Sequence, residues 1–210
     1  CDATPDGVHA VAWADVASAA PAAPVAVDPD AAAYVITTSG STGRPKGIVH
    51  SHRSGMAYAR LAAATYGLGP HDVVATLSPL HFDQSTFSLY AAPLAGSCVL
   101  MVPDAVLRFP ASLTGLVADH GVTVWYSVPT LLTHVVRRGV VAERDLSAIR
   151  WVLYGGEAFD PGVLRELMAA LPGARVSNVY GPAEVNQCTF HHLEAPPTGD
   201  EPVPIGRAWP

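Results

Sequence analysis

From residue 34 onward the chain alternates short apolar runs with longer mixed stretches. The runs are Tyr34–Thr37, Val73–Leu77, Val99–Val102, Val122–Tyr126, Trp151–Tyr154 and Val176–Tyr180. Each is too short for a helix and rich in β-branched or aromatic residues, which predicts buried strands. The stretches Ser54–Thr65, Ser85–Pro93, Ala111–His120, Thr130–Arg138 and Pro161–Leu171 repeat apolar residues at helical spacing and predict amphipathic helices. Asp160-Pro161 is a helix start, with Asp as N-cap and Pro at the first helical position. Strand–helix alternation predicts an α/β fold, a mostly parallel sheet flanked by helices on both faces. Ligands of such sheets bind beyond the carboxyl ends of the strands, and the chemically distinctive segments below are expected there.

The first 33 residues are weakly patterned. Residues 17–33 are rich in Ala, Pro and Asp, so 1–33 reads as a linker or the truncated edge of a preceding subdomain, and 34–210 as one subdomain. Starting on Cys1 and stopping at Pro210 without a closing helix, both ends look cut.

Composition narrows the class. Half the residues are hydrophobic and 14% are charged, as in a globular chain that buries a core. A net charge of −6 without a basic block argues against nucleic acid. No long apolar span and no signal peptide predict a soluble cytoplasmic protein without a membrane partner. Cys1, Cys98 and Cys188 have no metal or redox spacing. His50, His52, His81, His191 and His192 show no ligand spacing with a third donor, so no metal is assigned to them.

Three segments carry candidate chemistry. In Thr37-Thr38-Ser39-Gly40-Ser41-Thr42-Gly43-Arg44-Pro45-Lys46-Gly47, glycines let backbone N–H groups converge, hydroxyls add donors, and Lys46 adds positive charge. That chemistry suits phosphate, although the spacing is not that of the common P-loop. In Phe82-Asp83-Gln84-Ser85 a carboxylate stands at a helix entrance, where it can cap the helix or pair with an ammonium ion. In Ser177-Asn178-Val179-Tyr180-Gly181-Pro182-Ala183-Glu184, Tyr180 offers a flat face to a base, Asn178 an amide to a base edge, and Glu184 a hard oxygen to Mg²⁺.

The glycine-rich segment resembles the signature loop of the adenylate-forming superfamily, which includes acyl-CoA ligases, luciferases and the adenylation domains of nonribosomal peptide synthetases. The resemblance runs from about Tyr34 to Pro210. It implies that Thr38, Ser39, Gly40, Ser41, Thr42, Gly43 and Lys46 hold the β- and γ-phosphates of ATP, and that Asn178, Tyr180 and the Tyr154-Gly155-Gly156-Glu157 turn flank adenine. It also implies that Glu184 holds Mg²⁺. Asp83 is similar to the acid of the Phe-Asp-x-Ser motif of amino-acid adenylation domains, which holds the substrate's α-amino group; acyl-CoA ligases usually lack it. Ala183 departs from the family's usual Thr, whose hydroxyl contacts the α-phosphate. Thr198-Gly199-Asp200 mimics the family's ribose motif but precedes Pro204-Ile205-Gly206-Arg207, whereas the family motif follows that element. The ribose Asp, the small C-terminal domain and its catalytic lysine are therefore expected outside this chain, which alone would be inactive.

The resemblance implies aminoacyl-AMP formation with release of pyrophosphate, then thioester transfer to the phosphopantetheine arm of a peptidyl carrier protein. It implies a pocket of Asp83, Gln84, Phe87, Tyr126, Leu153, Gly155, Val179, Gln187 and Cys188. No charged residue other than Asp83 is among them, which points to a small or medium neutral amino acid. The 179–189 stretch is similar to free-standing enzymes that load proline onto a carrier, so proline is the single expectation. Gln84 and Gln187 depart from that group and suit Ser, Thr or Gln instead. The alternatives are an acyl- or aryl-CoA ligase fragment and a catalytically silent binding module.

Overall fold

A computed structural model describes residues 11–38 and 45–209. Among the described residues, seven strands form one sheet in the order β4-β3-β5-β6-β7-β8-β9. These are β3 (Val73–Thr76), β4 (Cys98–Met101), β5 (Val124–Ser127), β6 (Trp151–Gly155), β7 (Arg175–Tyr180), β8 (Thr189–Leu193) and β9 (Arg207–Ala208). Strands β3 to β7 pair in parallel. Strands β8 and β9 extend the sheet antiparallel beyond β7. The mostly parallel α/β fold expected from the alternation is thus present, with two antiparallel strands at one end that the pattern did not announce.

Side chains alternate across the sheet, as a pleated strand requires. Ala75, Trp125, Val152, Tyr154 and Val176 face one core, built with α5 (Pro110–Asp119), α6 (Pro129–Arg138) and α7 (Pro161–Ala170). Val74, Val124, Tyr126, Trp151, Leu153 and Val179 face the other, built with α2 (His52–Tyr66) and the helical segment around Phe87–Ala92. Asp160 caps α7 as expected, its Oδ1 accepting the Val163 N–H at 2.9 Å. Helix α2 starts on Ser51, whose hydroxyl accepts the Ser54 N–H, and ends on Gly67 at φ 57°.

Two expectations need correction. The 34–37 strand forms, as β1 (Ala32–Thr38), but outside the parallel sheet: it pairs antiparallel with β2 (Lys46–Ser51) in a separate hairpin. A short apolar run cannot by itself reveal its partner, and Lys46–Ser51 is too mixed to read as a strand. The 85–93 helix is not regular: Phe87–Ala91 is a π-helical turn running into the three-residue α3 (Ala92–Leu94). Pro93 lacks the N–H that a continuing α-helical ladder needs there. Helix α1 (Trp13–Ser18) stands in the weakly patterned N-terminal stretch. Among the described residues no helix is long and apolar enough to cross a membrane.

Candidate active site

The sheet's order reverses at β3, which has β4 on one side and β5 on the other. Open sheets bind ligands in the crevice at such a reversal. Beyond the carboxyl ends of β3, β5, β6 and β7 lies a cavity of about 520 Å³. Leu77–Pro79 and Phe82–Gln84 wall it from the β3 side, and Tyr126 and Val128 from β5. Gly155–Glu157 close it from β6, and Val179, Gly181 and Asn186 from β7. A larger groove of about 830 Å³ runs along β8, past Arg175 and Arg207. It contains none of the phosphate, carboxylate or adenine candidates and is set aside as a catalytic site.

Asp83 lines the cavity just ahead of the π-helical segment. Its Oδ1 accepts the Gln84 N–H at 2.8 Å, and its carbonyl accepts the Thr86 N–H at 2.9 Å. Burial raises its carboxyl above the usual carboxylate range; the Gln84 N–H, its own N–H and His50 offset this in part, and Glu184 adds to it. Among the described residues its carboxylate makes no ion pair. A half-buried carboxylate facing a cavity without a cationic partner suits a cationic ligand.

Five of the nine pocket residues expected from the sequence meet in this wall: Asp83, Gln84, Tyr126, Gly155 and Val179. The other four do not line it. Phe87 and Leu153 are fully buried in the core behind the wall, Phe87 with its ring 5.4 Å from that of Tyr126, edge to face. Gln187 is buried and donates from Nε2 to the Tyr126 hydroxyl at 2.7 Å, so it acts on the cavity through Tyr126. The Cys188 thiol lies 3.5 Å from the Tyr180 carbonyl. Gly155 is required for the close approach of β6 to β7, because a Cβ there would overlap the Val179 carbonyl.

On the nucleotide side, Gly156 turns at φ 89° and Glu157 reaches across to α6. The Glu157 carboxylate accepts the Thr130 N–H at 3.2 Å and its hydroxyl at 2.5 Å, capping the start of that helix. Asn178 donates from Nδ2 to the carbonyls of Val203 and Pro204, at 3.3 and 3.0 Å, and among the described residues its Oδ1 accepts no hydrogen bond. Tyr180 is 46% exposed and Glu184 is exposed. The turn that carries Glu184 depends on Gly181, where a Cβ would overlap the Asn186 carbonyl, and on Asn186 at φ 59°. Thr38 and Lys46 are paired across the hairpin and bracket the glycine-rich loop. Ser39, Gly40, Ser41, Thr42 and Gly43 lie outside the described residues.

Leu77, Ser78, Pro79, Val128 and Asn186 also line the cavity without having been singled out from the sequence. The first four follow directly on the carboxyl ends of β3 and β5, so the strand-end rule would have found them; Asn186 carried no such signal. Asp200 forms an exposed ion pair with Arg165 at 3.2 Å and does not line the cavity. Among the described residues no three His, Cys, Asp or Glu side chains cluster to hold a metal.

Known proteins resemble this chain in sequence and fold. The chain matches the family described as AMP-binding enzyme over residues 2–210. It is 36% identical over 205 residues to an L-proline–[L-prolyl-carrier protein] ligase of Pseudomonas fluorescens, covering 97% of this chain and 41% of that protein. A ligase of the same description from Streptomyces coelicolor is 38% identical over 176 residues, covering 83% and 33%. Among solved structures, the AMPPNP-bound nonribosomal peptide synthetase FmoA3 superposes with a TM-score of 0.80 at 33% identity, over 90% of this chain and 20% of that one. The chain thus spans less than half the length of the curated relatives it matches. Matched along nearly its whole length, the chain belongs to the AMP-binding enzyme family.

Proposed function

We propose that the full-length protein activates a small or medium neutral amino acid with Mg·ATP and passes it to a carrier protein. The observation that carries this is Asp83, a half-buried carboxylate without a cationic partner that faces the cavity at the sheet's reversal. It anchors the substrate's ammonium group and thereby directs the carboxylate toward the nucleotide side. A substrate carboxylate oxygen attacks the α-phosphorus, the bond to the β-phosphate bridge breaks, and pyrophosphate leaves. Positioning and charge neutralisation carry such a step.

The division of labour follows the loops. Thr38, Lys46 and the 39–43 segment between them hold the leaving phosphates. The flat exposed ring of Tyr180 and the Gly155–Glu157 turn flank adenine, whose amino group donates to Asn178 Oδ1. Glu184 is the carboxylate for Mg²⁺. One protein carboxylate fits that ion, which is commonly held by one or two carboxylates with phosphate oxygens and waters completing its shell. Bound there, Mg²⁺ supplies neutralisation of phosphate charge. In the second half-reaction the thiol of a phosphopantetheine arm on the carrier attacks the acyl carbon, the bond to the phosphate oxygen breaks, and AMP leaves.

Proline is the substrate we favour, because the relatives from Pseudomonas fluorescens and Streptomyces coelicolor are described as prolyl-carrier ligases. The wall of Tyr126, Val128, Leu77 and Val179 is largely apolar, and among the residues lining the cavity the charged ones are Asp83 and Glu157, the latter bonded to Thr130. Pyrophosphate exchange by the full-length protein across an amino-acid panel tests the proposal. Exchange driven by proline or another small neutral amino acid supports it. Exchange driven by fatty or aryl acids alone would make the protein an acyl-activating enzyme of another substrate class.

A further inference from the structure

The β1–β2 hairpin carries the proposed phosphate loop, and the 181–187 turn carries Glu184. Among the described residues, two side-chain hydrogen bonds join them. His50 in β2 is 4% exposed, and its Nε2 lies 2.8 Å from the Ala183 carbonyl. A carbonyl oxygen only accepts, so Nε2 carries the proton. Tyr34, its register partner on β1, accepts from Asn186 Nδ2 at 3.0 Å. The two rings stack at 4.6 Å with 9° between their planes. Gly55 of α2 gives the Tyr34 ring room, since a Cβ there would stand 3.1 Å from it. The hairpin therefore grips the turn on either side of Glu184, at residue 183 through backbone and at residue 186 through a side chain. Neither His50 nor Tyr34 lines the cavity.

We propose that His50 is a positioning residue: stacked on Tyr34, it fixes the Glu184 turn against the hairpin that holds the phosphates. This rests on the adenylation reading above for its catalytic consequence, though not for the grip itself. Ala183 offers the hairpin only its backbone, so the His50 N–H is the contact that sets its orientation. Its loss leaves a part-buried carbonyl without this partner and frees the turn to move away from the phosphate loop.

The test compares His50→Leu, His50→Gln and Tyr34→Phe in the full-length protein, by amide hydrogen exchange without ligand and by pyrophosphate-exchange kinetics. In His50→Leu, loss of one hydrogen bond should speed amide exchange across 181–187 by about three- to tenfold and lower kcat by a similar factor. The amino-acid KM should change less than kcat, since Asp83 keeps its place and its Gln84 N–H, although it loses the nearby His50. His50→Gln, whose amide N–H can reach the same carbonyl, should recover most of both losses. Tyr34→Phe should speed exchange at the Asn186 end. Unchanged amide exchange in His50→Leu, or a Gln variant as impaired as the Leu variant, would overturn the proposal. Wild-type protein without amino-acid-dependent pyrophosphate exchange would instead defeat the functional reading, and amide exchange would still decide the role of His50.

Discussion

Asp83→Asn separates the catalytic from the structural role of this carboxylate. The substitution keeps the side chain's shape and an oxygen for the Gln84 N–H, now 2.8 Å away, but removes the charge. Burial already holds the Asp83 carboxyl above its usual range in the free protein. A carboxyl raised by folding loses stability as pH climbs from the ordinary carboxylate range through its raised value. Ionised Asp83 therefore costs the free fold stability at neutral pH, and Asp83→Asn should melt no lower than wild type. Substrate binding reverses the balance. An ammonium group facing a neutral amide loses a charge-assisted hydrogen bond worth about 1.5–3 kcal/mol, or about 10- to 150-fold in amino-acid affinity. Asp83→Ala, which leaves the ammonium unpaired, should cost about 3–5 kcal/mol. ATP affinity should stay within about twofold in both, because no proposed phosphate or adenine contact is touched. Thermal melting and pyrophosphate exchange with each substrate varied in turn provide the readouts. Parallel losses of ATP and amino-acid affinity, or a melting point several degrees lower in Asp83→Asn, would refute the reasoning and make Asp83 a helix-entry cap.

Four further outcomes follow from the same geometry. Amino-acid affinity of the wild type should fall as pH drops through the raised Asp83 value, while that of Asp83→Asn stays flat over the same window. Arg150→Ala should destabilise the fold by about 2–4 kcal/mol in urea titrations at neutral pH, because Arg150 binds both carboxylate oxygens of buried Asp72 at 2.7 Å and the carbonyls of Tyr66 and Gly67 at 2.9 Å. Burial pushes Asp72 up, but Arg150, Thr123 and the Gly69 N–H outweigh it and hold the carboxyl below its usual range; its stabilisation is thus present above that range, is lost as pH falls through the lowered value, and the Arg150→Ala deficit should shrink there. Gly181→Ala should lower pyrophosphate-exchange kcat by about tenfold or more, since the new Cβ must displace the Asn186 carbonyl and with it the Glu184 turn. Asp160→Ala should remove the α7 cap at a cost of about 1 kcal/mol, measurable by urea titration.

Local signals were the legible part of this sequence. Helices α5, α6 and α7 follow their apolar spacing to within a residue or so, and α7 starts where Asp160-Pro161 says it must. Strands β3 to β7 follow from short apolar runs bounded by turn residues. Pairing was not legible. The Tyr34–Thr37 run looks like its sheet-forming counterparts, and only the register of Tyr34 opposite His50 makes it a hairpin. The antiparallel β8 sets two adjacent histidines, His191 and His192, between Phe190 and Leu193 and so lacks a strand period. In the site, Asp83, Gln84, Tyr126, Gly155 and Val179 were expected from the resemblance to amino-acid adenylation domains, and they do line one cavity. Phe87, Leu153 and Gln187 are buried behind that wall, a distinction that depends on packing depth rather than spacing, and Cys188 is partly exposed beside the Tyr180 carbonyl. The His50–Ala183 and Tyr34–Asn186 contacts join residues 133 and 152 positions apart and have no local signature.

The most direct test of the account is a crystal structure of the full-length protein with a non-hydrolysable prolyl-adenylate analogue. The analogue's amino group should lie about 2.7–2.9 Å from the Asp83 carboxylate, its adenine between Tyr180 and the Gly155–Glu157 turn, and its prolyl ring against Tyr126. An analogue bound with its amino group turned away from Asp83, or seated in the groove along β8, would contradict it.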